Sequence, residues 1–256
     1  MKRALISGAS SGIGEAFTKA LVKEGYDCVV FARRKDRLLA LQNECQHIRS
    51  HSVEFFELDA LRHDAVDNLE AKIKEHSWTF DLVINNAGFG YVGDFESMDE
   101  SVMRDMITLN CTFLTMSTHR LIPYMNPHAT FLHVSSLAGE MSGPGMNVYY
   151  ATKNYVSAFS LACDIEFKPL GLRSLAFIPG PVHTEFGRVA KAGPMKVFNH
   201  VPSMDVDLAI KRAIKGLKKK QRFILSQPSY RVLLWLVRGL PRVWIAKAVA
   251  KLQSKR

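Results

Sequence analysis

The chain has 256 residues, a length that suits one α/β domain. With 47% hydrophobic residues and no repeat or low-complexity segment, the composition excludes a disordered or fibrous protein. The four cysteines form no CxxC pair, so the spacing predicts reduced thiols and no metal site. The first apolar run is too short for a secretory signal, so we expect a cytoplasmic location.

The formal net charge of +10 is not spread evenly along the chain. From Lys211 to the end there are 14 Lys and Arg residues and no Asp or Glu, whereas the preceding part holds 20 basic and 24 acidic residues. The basic character therefore belongs to the C-terminal segment, for which we expect a separate role.

Short apolar, β-branched runs alternate along the chain with patterns of helical period. The runs predicted as strands are Ala4–Ser7, Cys28–Ala32, Val53–Leu58, Asp81–Asn85, Ala129–Ser135, Leu172–Ile178 and Arg222–Ser226. The helical patterns between them are Gly12–Glu24, Arg33–Ile48, Leu61–His76, Met98–Tyr124 and Val148–Phe167. Alternation of this kind predicts βαβ units, and near-continuous apolar strands indicate a sheet buried on both faces. The prediction is a three-layer, doubly wound Rossmann fold with a parallel seven-stranded sheet, whose ligand lies beyond the carboxyl ends of the strands.

A loop rich in glycine and serine follows the first strand and begins a helix. Its glycines allow a tight turn and close approach of a phosphate, and the helix N-terminus offers free N–H groups to a pyrophosphate. The residues predicted to bind a dinucleotide here are Gly8, Ser10, Ser11, Gly12, Ile13 and Gly14. The alternative interpretation is a tight turn that binds no ligand.

The end of the second strand indicates which dinucleotide is preferred. Arg33 and Arg34 stand there, and the first acidic residue is Asp36. A carboxylate would repel a ribose 2′-phosphate, whereas a guanidinium binds it through charge-assisted hydrogen bonds. We therefore predict NADP(H) over NAD(H), with Arg33 at the phosphate and with Arg34 and Ser11 assisting. The alternative for both arginines is a solvated helix start.

A tyrosine and a lysine four residues apart, Tyr149 and Lys153, lie near the start of the helix over 148–167. This spacing places both on one helix face, where the ammonium is expected to lower the pKa of the phenol. The pair is a sensible proton donor and acceptor, although a packed tyrosine beside a surface lysine is common in helices. Tyr150 is three residues before Lys153 and is expected to pack.

Four motifs occur together: Gly8-x-x-x-Gly12-x-Gly14, Asn85-Asn86-Ala87-Gly88, Tyr149-x-x-x-Lys153 and Pro179-Gly180 followed by Thr184. In combination they resemble the short-chain dehydrogenase/reductase family over about residues 3–226. The resemblance implies one Rossmann-type catalytic domain at 1–226, with a substrate lid at about 185–203. Residues 227–256 lie beyond the pattern and are predicted to form a basic, amphipathic helical extension.

The resemblance also assigns roles. It selects Tyr149 as the proton donor and Ser136, thirteen residues earlier, as the group that binds the substrate oxygen, with Ser135 as the alternative. Asn110 would hold a water beneath Lys153, or would simply be a satisfied polar residue in a long helix. Tyr149 and Lys153 are also placed at the cofactor, with Lys153 orienting the nicotinamide ribose. Further residues that the resemblance places at the cofactor are Asp59, Ala60, Asn86, Ala87, Gly88, Pro179, Gly180, Val182 and Thr184. Asp59 could instead cap the following helix, and His183 is expected to line the site.

The predicted function is an NADP(H)-dependent oxidoreductase that moves hydride between the nicotinamide and a carbonyl or alcohol, mainly toward reduction. Apolar residues in the predicted lid, such as Met195 and Phe198, favour a hydrophobic small-molecule substrate. The alternatives are a non-catalytic NADP(H)-binding regulator and a membrane-associated scaffold on the same fold. The resemblance implies a homodimer or homotetramer.

Two helices are predicted in the basic tail, Tyr230–Leu240 and Pro241–Leu252. In the second, Trp244 and Val249 share an apolar face opposite Lys247 and Lys251. Such a helix fits an anionic lipid surface on the inner face of a membrane, or packing on the domain or on another subunit. No nucleic-acid recognition motif is found, so no nucleic acid is expected as a partner.

Overall fold

The computed structural model describes residues 2–190 and 203–253. Its strands are β1 (Arg3–Ser7), β2 (Asp27–Ala32), β3 (Val53–Glu57), β4 (Phe80–Asn85), β5 (Met125–Val134), β6 (Arg173–Ile178) and β7 (Phe223–Leu225). They form one sheet in the order β3-β2-β1-β4-β5-β6-β7, and each neighbouring pair is parallel. The predicted seven-stranded parallel sheet is confirmed.

Helices cover both faces of this sheet. They are α1 (Gly12–Lys23), α2 (Lys35–Gln46), α3 (Ala65–Glu75), α4 (Glu100–Ile107), α5 (Leu114–Leu121), α6 (Asn147–Glu166), α7 (Phe186–Val189), α8 (Val206–Lys218), α9 (Ser229–Gly239) and α10 (Arg242–Gln253). Alternate strand residues point to opposite faces, so Ile6 packs in the core under α1, α2 and α8 whereas Leu5 packs under α3 and α6. The predicted three-layer, doubly wound Rossmann fold is therefore confirmed.

The order of strands reverses beside β1, which lies between β2 and β4. In open parallel sheets the crevice beyond the carboxyl ends of such strands is where ligands bind. The loops that follow β1 and β4 begin at Gly8 and Asn86, so two of the predicted cofactor motifs meet at this point.

The long helix predicted over Met98–Tyr124 is not one regular α-helix. A π-helical turn at Thr108–Phe113 separates α4 from α5, and a 3₁₀ turn follows at Ile122–Tyr124. The π turn contains the buried Asn110. π-Helical turns are rare, and the sequence pattern was interpreted as one continuous α-helix, so the prediction missed it.

The predicted helical extension is present as α9 and α10. Ile245 and Val249 of α10 are buried in a third apolar cluster together with Tyr149 and Tyr150 of α6. Of the predicted lid, residues 191–202 lie outside the described residues, and the described part begins with the short helix α7. Within 2–190 and 203–253, no helix is long and apolar enough to cross a bilayer.

Candidate active site

The loop between β1 and α1 requires glycine for reasons of both conformation and space. Gly8 and Gly12 have φ of +65° and +58°, a backbone conformation that residues other than glycine adopt only with strain. A Cβ on Gly14 would lie 2.4 Å from the carbonyl oxygen of Gly8, so the helix begins directly against the turn. The result is a tight turn that leads directly into the N-terminus of α1, as the sequence predicted.

The loop after β4 is hydrogen-bonded to the loop after β1. Asn86 Nδ2 donates to the carbonyl oxygens of Ser7 and Gly8 at 2.9 and 3.1 Å. The Ser7 hydroxyl accepts from the backbone N–H groups of Asn86 and Ala87 at 2.9 and 3.0 Å. These bonds fix the relative positions of two predicted cofactor motifs whose residues are about 80 positions apart in the chain.

The two arginines after β2 are placed differently. Arg34 donates to the hydroxyls of Ser11 and Ser10 at 2.7 and 3.1 Å and pairs with Glu185 at 3.0 Å. Arg33 is exposed, and both arginines line a large cavity that also contains the glycine loop. Arg34, which the sequence treated as an assisting residue, is thus the arginine that organises the serines of the glycine loop.

Asp59 and Ala60 also line this cavity. The Asp59 carboxylate accepts a hydrogen bond of 3.1 Å from the backbone N–H of Leu61. Because α3 begins only at Ala65, Asp59 is not its N-cap, and that alternative is wrong.

Tyr149 and Lys153 lie on one face of α6 and are both buried. Lys153 Nζ is 5.9 Å from the centroid of the Tyr149 ring. Its ammonium donates a hydrogen bond of 2.8 Å to the carbonyl oxygen of Val134 at the end of β5. The helix spacing and the sheet edge together bring the predicted pair to the ligand side of the sheet.

The two serines after β5 point in different directions. Ser136 lies close enough to Tyr149 for its side chain to lower the pKa of the phenol, and it accepts a hydrogen bond from the backbone N–H of Ala138 at 3.1 Å. Ser135 is buried, donates to the carbonyl oxygen of Lys153 at 3.0 Å and contacts the Ser157 hydroxyl at 2.8 Å. The geometry therefore places Ser136, not Ser135, beside the tyrosine hydroxyl.

Asn110 is held by the backbone that follows β4. Its Oδ1 accepts from the Phe89 N–H at 3.1 Å, and its Nδ2 donates to the Phe89 carbonyl at 2.9 Å and to the Thr152 hydroxyl at 3.0 Å. A Cβ on Gly88 would lie 2.8 Å from Asn110 Oδ1 and 3.4 Å from Lys153 Nζ. Asn110 and Lys153 thus converge on Gly88, which must be glycine.

Burial determines the protonation of both groups on α6. It raises the pKa of Tyr149 to about 12, against the hydrogen bond from Ser136, which lowers it. Burial also lowers the pKa of Lys153 to about 8. The expectation that the lysine sets a low pKa for the phenol is therefore wrong for this arrangement, because desolvation of the phenolate outweighs the other contributions.

The loop after β6 closes the site from the other side. The Pro179 carbonyl accepts from the Leu137 N–H at 2.8 Å, and the Gly180 N–H donates to Ser226 at 3.1 Å. A Cβ on Gly180 would lie 2.0 Å from the hydroxyl of Tyr230, so α9 packs directly on this loop. His183 lines the cavity, as expected, and hydrogen-bonds the hydroxyl of Ser203.

One cavity of about 1340 Å³ is lined by most of these residues, including Arg34, Ser136, Tyr149 and Lys153, whereas Asn110 and Gly14 do not line it. It extends from the glycine loop past the predicted catalytic residues to the C-terminal helices. The lining residues that sequence reasoning did not assign to the site include Tyr91, Phe186, Leu233, Val237, Trp244 and Val249. The amphipathic pattern of α10 was a usable signal, but it could not say which surface the apolar face covers. Within the described ranges, no three His, Cys, Asp or Glu residues form a group that could hold a metal.

Sequence comparison places these features in a known family. The model of the short chain dehydrogenase family matches residues 2–194. Sulfoacetaldehyde reductase of Chromohalobacter salexigens is 33% identical over 192 residues, which cover 73% of this chain and 75% of that protein. The NADP-dependent 3-hydroxy acid dehydrogenase YdfG of Escherichia coli K12 is 29% identical over 195 residues, covering 74% and 76%.

Structural comparison agrees. A short-chain dehydrogenase from Sphingobium yanoikuyae, solved in complex with NADPH, superposes with a TM-score of 0.80 at 26% identity and covers 93% of this chain and 94% of that chain. The chain belongs to the short-chain dehydrogenase family and is an oxidoreductase that acts on alcohol and carbonyl groups.

Proposed function

We propose that the protein is an NADP(H)-dependent reductase of a hydrophobic carbonyl compound, with Tyr149 as the proton donor. The observation that carries the proposal is that Tyr149, Ser136 and Lys153 meet in one cavity whose outer wall is formed by the apolar faces of α9 and α10. The cytoplasmic location and the homodimer or homotetramer implied by the resemblance stay predictions.

The residues at the crevice fit a dinucleotide phosphate. A Cβ on Gly8 or Gly14 would meet neighbouring loop atoms at 2.9 Å or less, so the turn is tight, and the start of α1 at Gly12 and Ile13 lines the cavity. Arg34 already binds two hydroxyls of the loop, and Arg33 adds a second guanidinium at the same edge. Both arginines suit a ribose 2′-phosphate through charge-assisted hydrogen bonds. The similarity to an NADPH-bound dehydrogenase and to an NADP-dependent one supports the same cofactor here.

Each residue on α6 and after β5 has a distinct chemical task. NADPH, when bound, supplies the hydride that the carbonyl carbon accepts. Tyr149 transfers its proton to the carbonyl oxygen, and the high pKa of its buried phenol keeps that proton in place until it is needed. Ser136 donates a hydrogen bond to the same oxygen as negative charge develops on it.

Lys153 supports the proton transfer by electrostatics. Its ammonium, buried 5.9 Å from the centre of the Tyr149 ring, stabilises the phenolate that remains after the proton has left. Asn110 holds the backbone at Phe89 with two hydrogen bonds and so positions the floor of the site next to Lys153. We propose that it also holds the water through which Lys153 is reprotonated.

The proposed hydrophobic substrate follows from the lining of the outer half of the cavity. Side chains such as Phe186, Leu233, Val237 and Val249 surround this part. Pockets for apolar ligands are lined by apolar groups, because removing both apolar surfaces from water is favourable and stabilises the complex. A long-chain or ring ketone suits this wall better than a charged small acid does.

The test is NADPH oxidation with a panel of carbonyl compounds that includes long-chain lipid ketones. We expect turnover by the unmodified protein and a loss of kcat of at least about a hundredfold in Tyr149→Phe, with the dissociation constant for NADPH nearly unchanged. Tyr150→Phe is the matched control for kcat, since it removes a hydroxyl one residue away and leaves the proton donor, whereas its lost bond to Gln253 affects KM. Near-normal turnover by Tyr149→Phe would refute the assignment. Tight NADPH binding without any turnover would instead favour a non-catalytic regulator.

A further inference from the structure

We propose that the outer face of α9 and α10 docks on an anionic lipid bilayer, so that the substrate cavity opens toward the membrane. The hydrophobic substrate of the proposed function would then enter the cavity from the acyl phase of the bilayer. The supply route rests on that proposed function, whereas the docking itself does not.

Exposed apolar side chains are concentrated on the two C-terminal helices. Of the eighteen large hydrophobic side chains that are exposed in the described part of the chain, eight lie on this short segment: Val232, Leu233, Trp235, Leu236, Leu240, Val243, Trp244 and Leu252. Trp235 and Trp244 are 75% and 64% exposed, which is unusual for indole rings. We call these eight residues the apolar patch. A concentration of exposed apolar side chains of this kind is typical of an interaction site.

On α9 the patch lies opposite the side that packs on the protein. Tyr230 and Leu234 are buried, whereas Val232, Trp235 and Leu236 point away from them at helical spacing. Both sides of α9 are therefore apolar, and the outer side is exposed to solvent. Packing on the catalytic domain buries only the inner side of α9. The apolar outer side can therefore contact a lipid bilayer.

All of the charged side chains on these two helices are basic. Arg231, Arg238, Arg242, Lys247 and Lys251 are exposed, and the helices contain no acidic residue. Outside these helices, Glu140 forms an ion pair with Arg238 at 3.4 Å. Basic side chains beside exposed tryptophans match an anionic headgroup layer above an acyl phase.

The patch continues into the cavity. Leu233, Leu240, Trp244 and Leu252 are exposed and also line the cavity that contains Tyr149. The cavity mouth is therefore rimmed by the residues that would enter the bilayer. A long apolar molecule could pass from the acyl phase to Tyr149 without its chain crossing water.

A second copy of the chain is the competing occupant, and the charges argue against it. Two such faces in an isologous contact would bring basic residues against basic residues. A separate group of exposed apolar residues on α4, α5 and α6, including Ile107, Met116, Leu161 and Ile165, is available for self-association. These helices are the ones through which the family resemblance implies an oligomer.

The test uses the full chain and sedimentation with vesicles of phosphatidylcholine alone or of phosphatidylcholine and phosphatidylglycerol at about 7:3. We expect binding to the anionic vesicles that falls as salt is raised, and much weaker binding to the neutral ones. Arg231→Gln combined with Lys247→Gln should reduce the partition coefficient at least about tenfold, since each basic residue near an anionic surface contributes about 1 kcal/mol. The control is Lys23→Gln combined with Lys215→Gln, which removes the same charge from α1 and α8.

A second variant separates docking from chemistry. Trp235→Ala removes an exposed ring that does not line the cavity, and Leu39→Ala removes an exposed apolar side chain from α2, which packs on β3 at the far edge of the sheet. We expect Trp235→Ala to lose vesicle binding at least fivefold and to raise KM for a long-chain ketone supplied in anionic vesicles, with KM for a short soluble ketone unchanged. Leu39→Ala should change none of these.

Three results would overturn the docking. They are equal binding to neutral and anionic vesicles, no binding to either, and a Trp235→Ala variant that dissociates an oligomer in analytical ultracentrifugation without affecting vesicles. The last would assign the patch to a subunit interface. Because vesicle binding is measured without substrate, it can succeed when no ketone is reduced. That combination would leave docking intact and remove the proposed function.

Discussion

The side-chain amide of Gln253 donates a hydrogen bond of 2.7 Å to the hydroxyl of Tyr150, across 103 positions of the chain. Both side chains are buried. This bond attaches the last turn of α10 to the helix that carries Tyr149, one residue away from the proposed proton donor. The hydrogen bond therefore holds α10, which forms one wall of the substrate cavity, against α6.

Breaking this tie should change substrate binding more than chemistry. Gln253→Met keeps the length of the side chain but leaves the Tyr150 hydroxyl without its donor, at a cost of about 1–2 kcal/mol. We expect KM for a hydrophobic ketone to rise about 5- to 30-fold and kcat to stay within about twofold. Steady-state kinetics with Lys215→Met, an exposed change on α8, as control would check this. A fall in kcat with unchanged KM would contradict it.

The two serines after β5 offer a matched pair of substitutions. Ser136→Ala removes the hydroxyl beside Tyr149, and kcat should fall about a hundredfold or more because one donor to the developing oxyanion is lost. Ser135→Ala removes bonds to Lys153 O and Ser157 instead, so it should lower the free energy of unfolding by about 1–2 kcal/mol with little loss of kcat. Kinetics and thermal melts on both variants distinguish the roles. The reverse pattern would exchange the assignments.

Cofactor preference should depend on Arg33 and Arg34 in different ways. Arg33→Ala removes an exposed guanidinium, so KM for NADPH should rise about 10- to 100-fold, the range expected for one charge-assisted hydrogen bond, with little change for NADH. Arg34→Ala also frees Ser10 and Ser11, so both cofactors should bind more weakly. Equal effects of Arg33→Ala on the two cofactors would exclude it from the 2′-phosphate.

A substitution at Glu185 should improve NADPH binding at the same site. Its carboxylate pairs with Arg34 at 3.0 Å and therefore competes with any phosphate for that guanidinium. Glu185→Gln removes the negative charge and should lower KM for NADPH but not for NADH. An unchanged ratio of the two values would show that Arg34 does not contact the phosphate.

The pH dependence of reduction should report Lys153. Burial lowers the pKa of its amine to about 8, so the side chain is charged below that pH and neutral above it. Only the charged form stabilises the Tyr149 phenolate, so kcat for carbonyl reduction should decline as pH rises through about 8. Titration of NADPH binding over the same range separates cofactor loss from chemistry. A kcat that stays constant from pH 7 to 10 would contradict the role.

The sequence by itself determined the fold and the local geometry of the site. The alternation of strands and helices predicted the parallel sheet because each element buries its apolar side in a characteristic period. The i and i+4 spacing put Tyr149 and Lys153 on one face because a helix repeats every 3.6 residues. The glycine loop was recognisable because a positive φ and close backbone approach restrict the residue type directly. Such features depend on neighbours within a few positions of the chain.

Only the tertiary structure decided the features that depend on distant contacts. The amphipathic pattern of α10 could not reveal that its inner face closes the cavity over Tyr149. The roles of Arg34 and Ser135 depended on partners brought close by the sheet, and the π turn at Asn110 was not predicted from the apolar pattern. The pKa of Tyr149 was predicted in the wrong direction because spacing reports which groups are near but not how much water surrounds them. Burial is a property of the whole packed chain, and here it outweighs the charge that the sequence made visible.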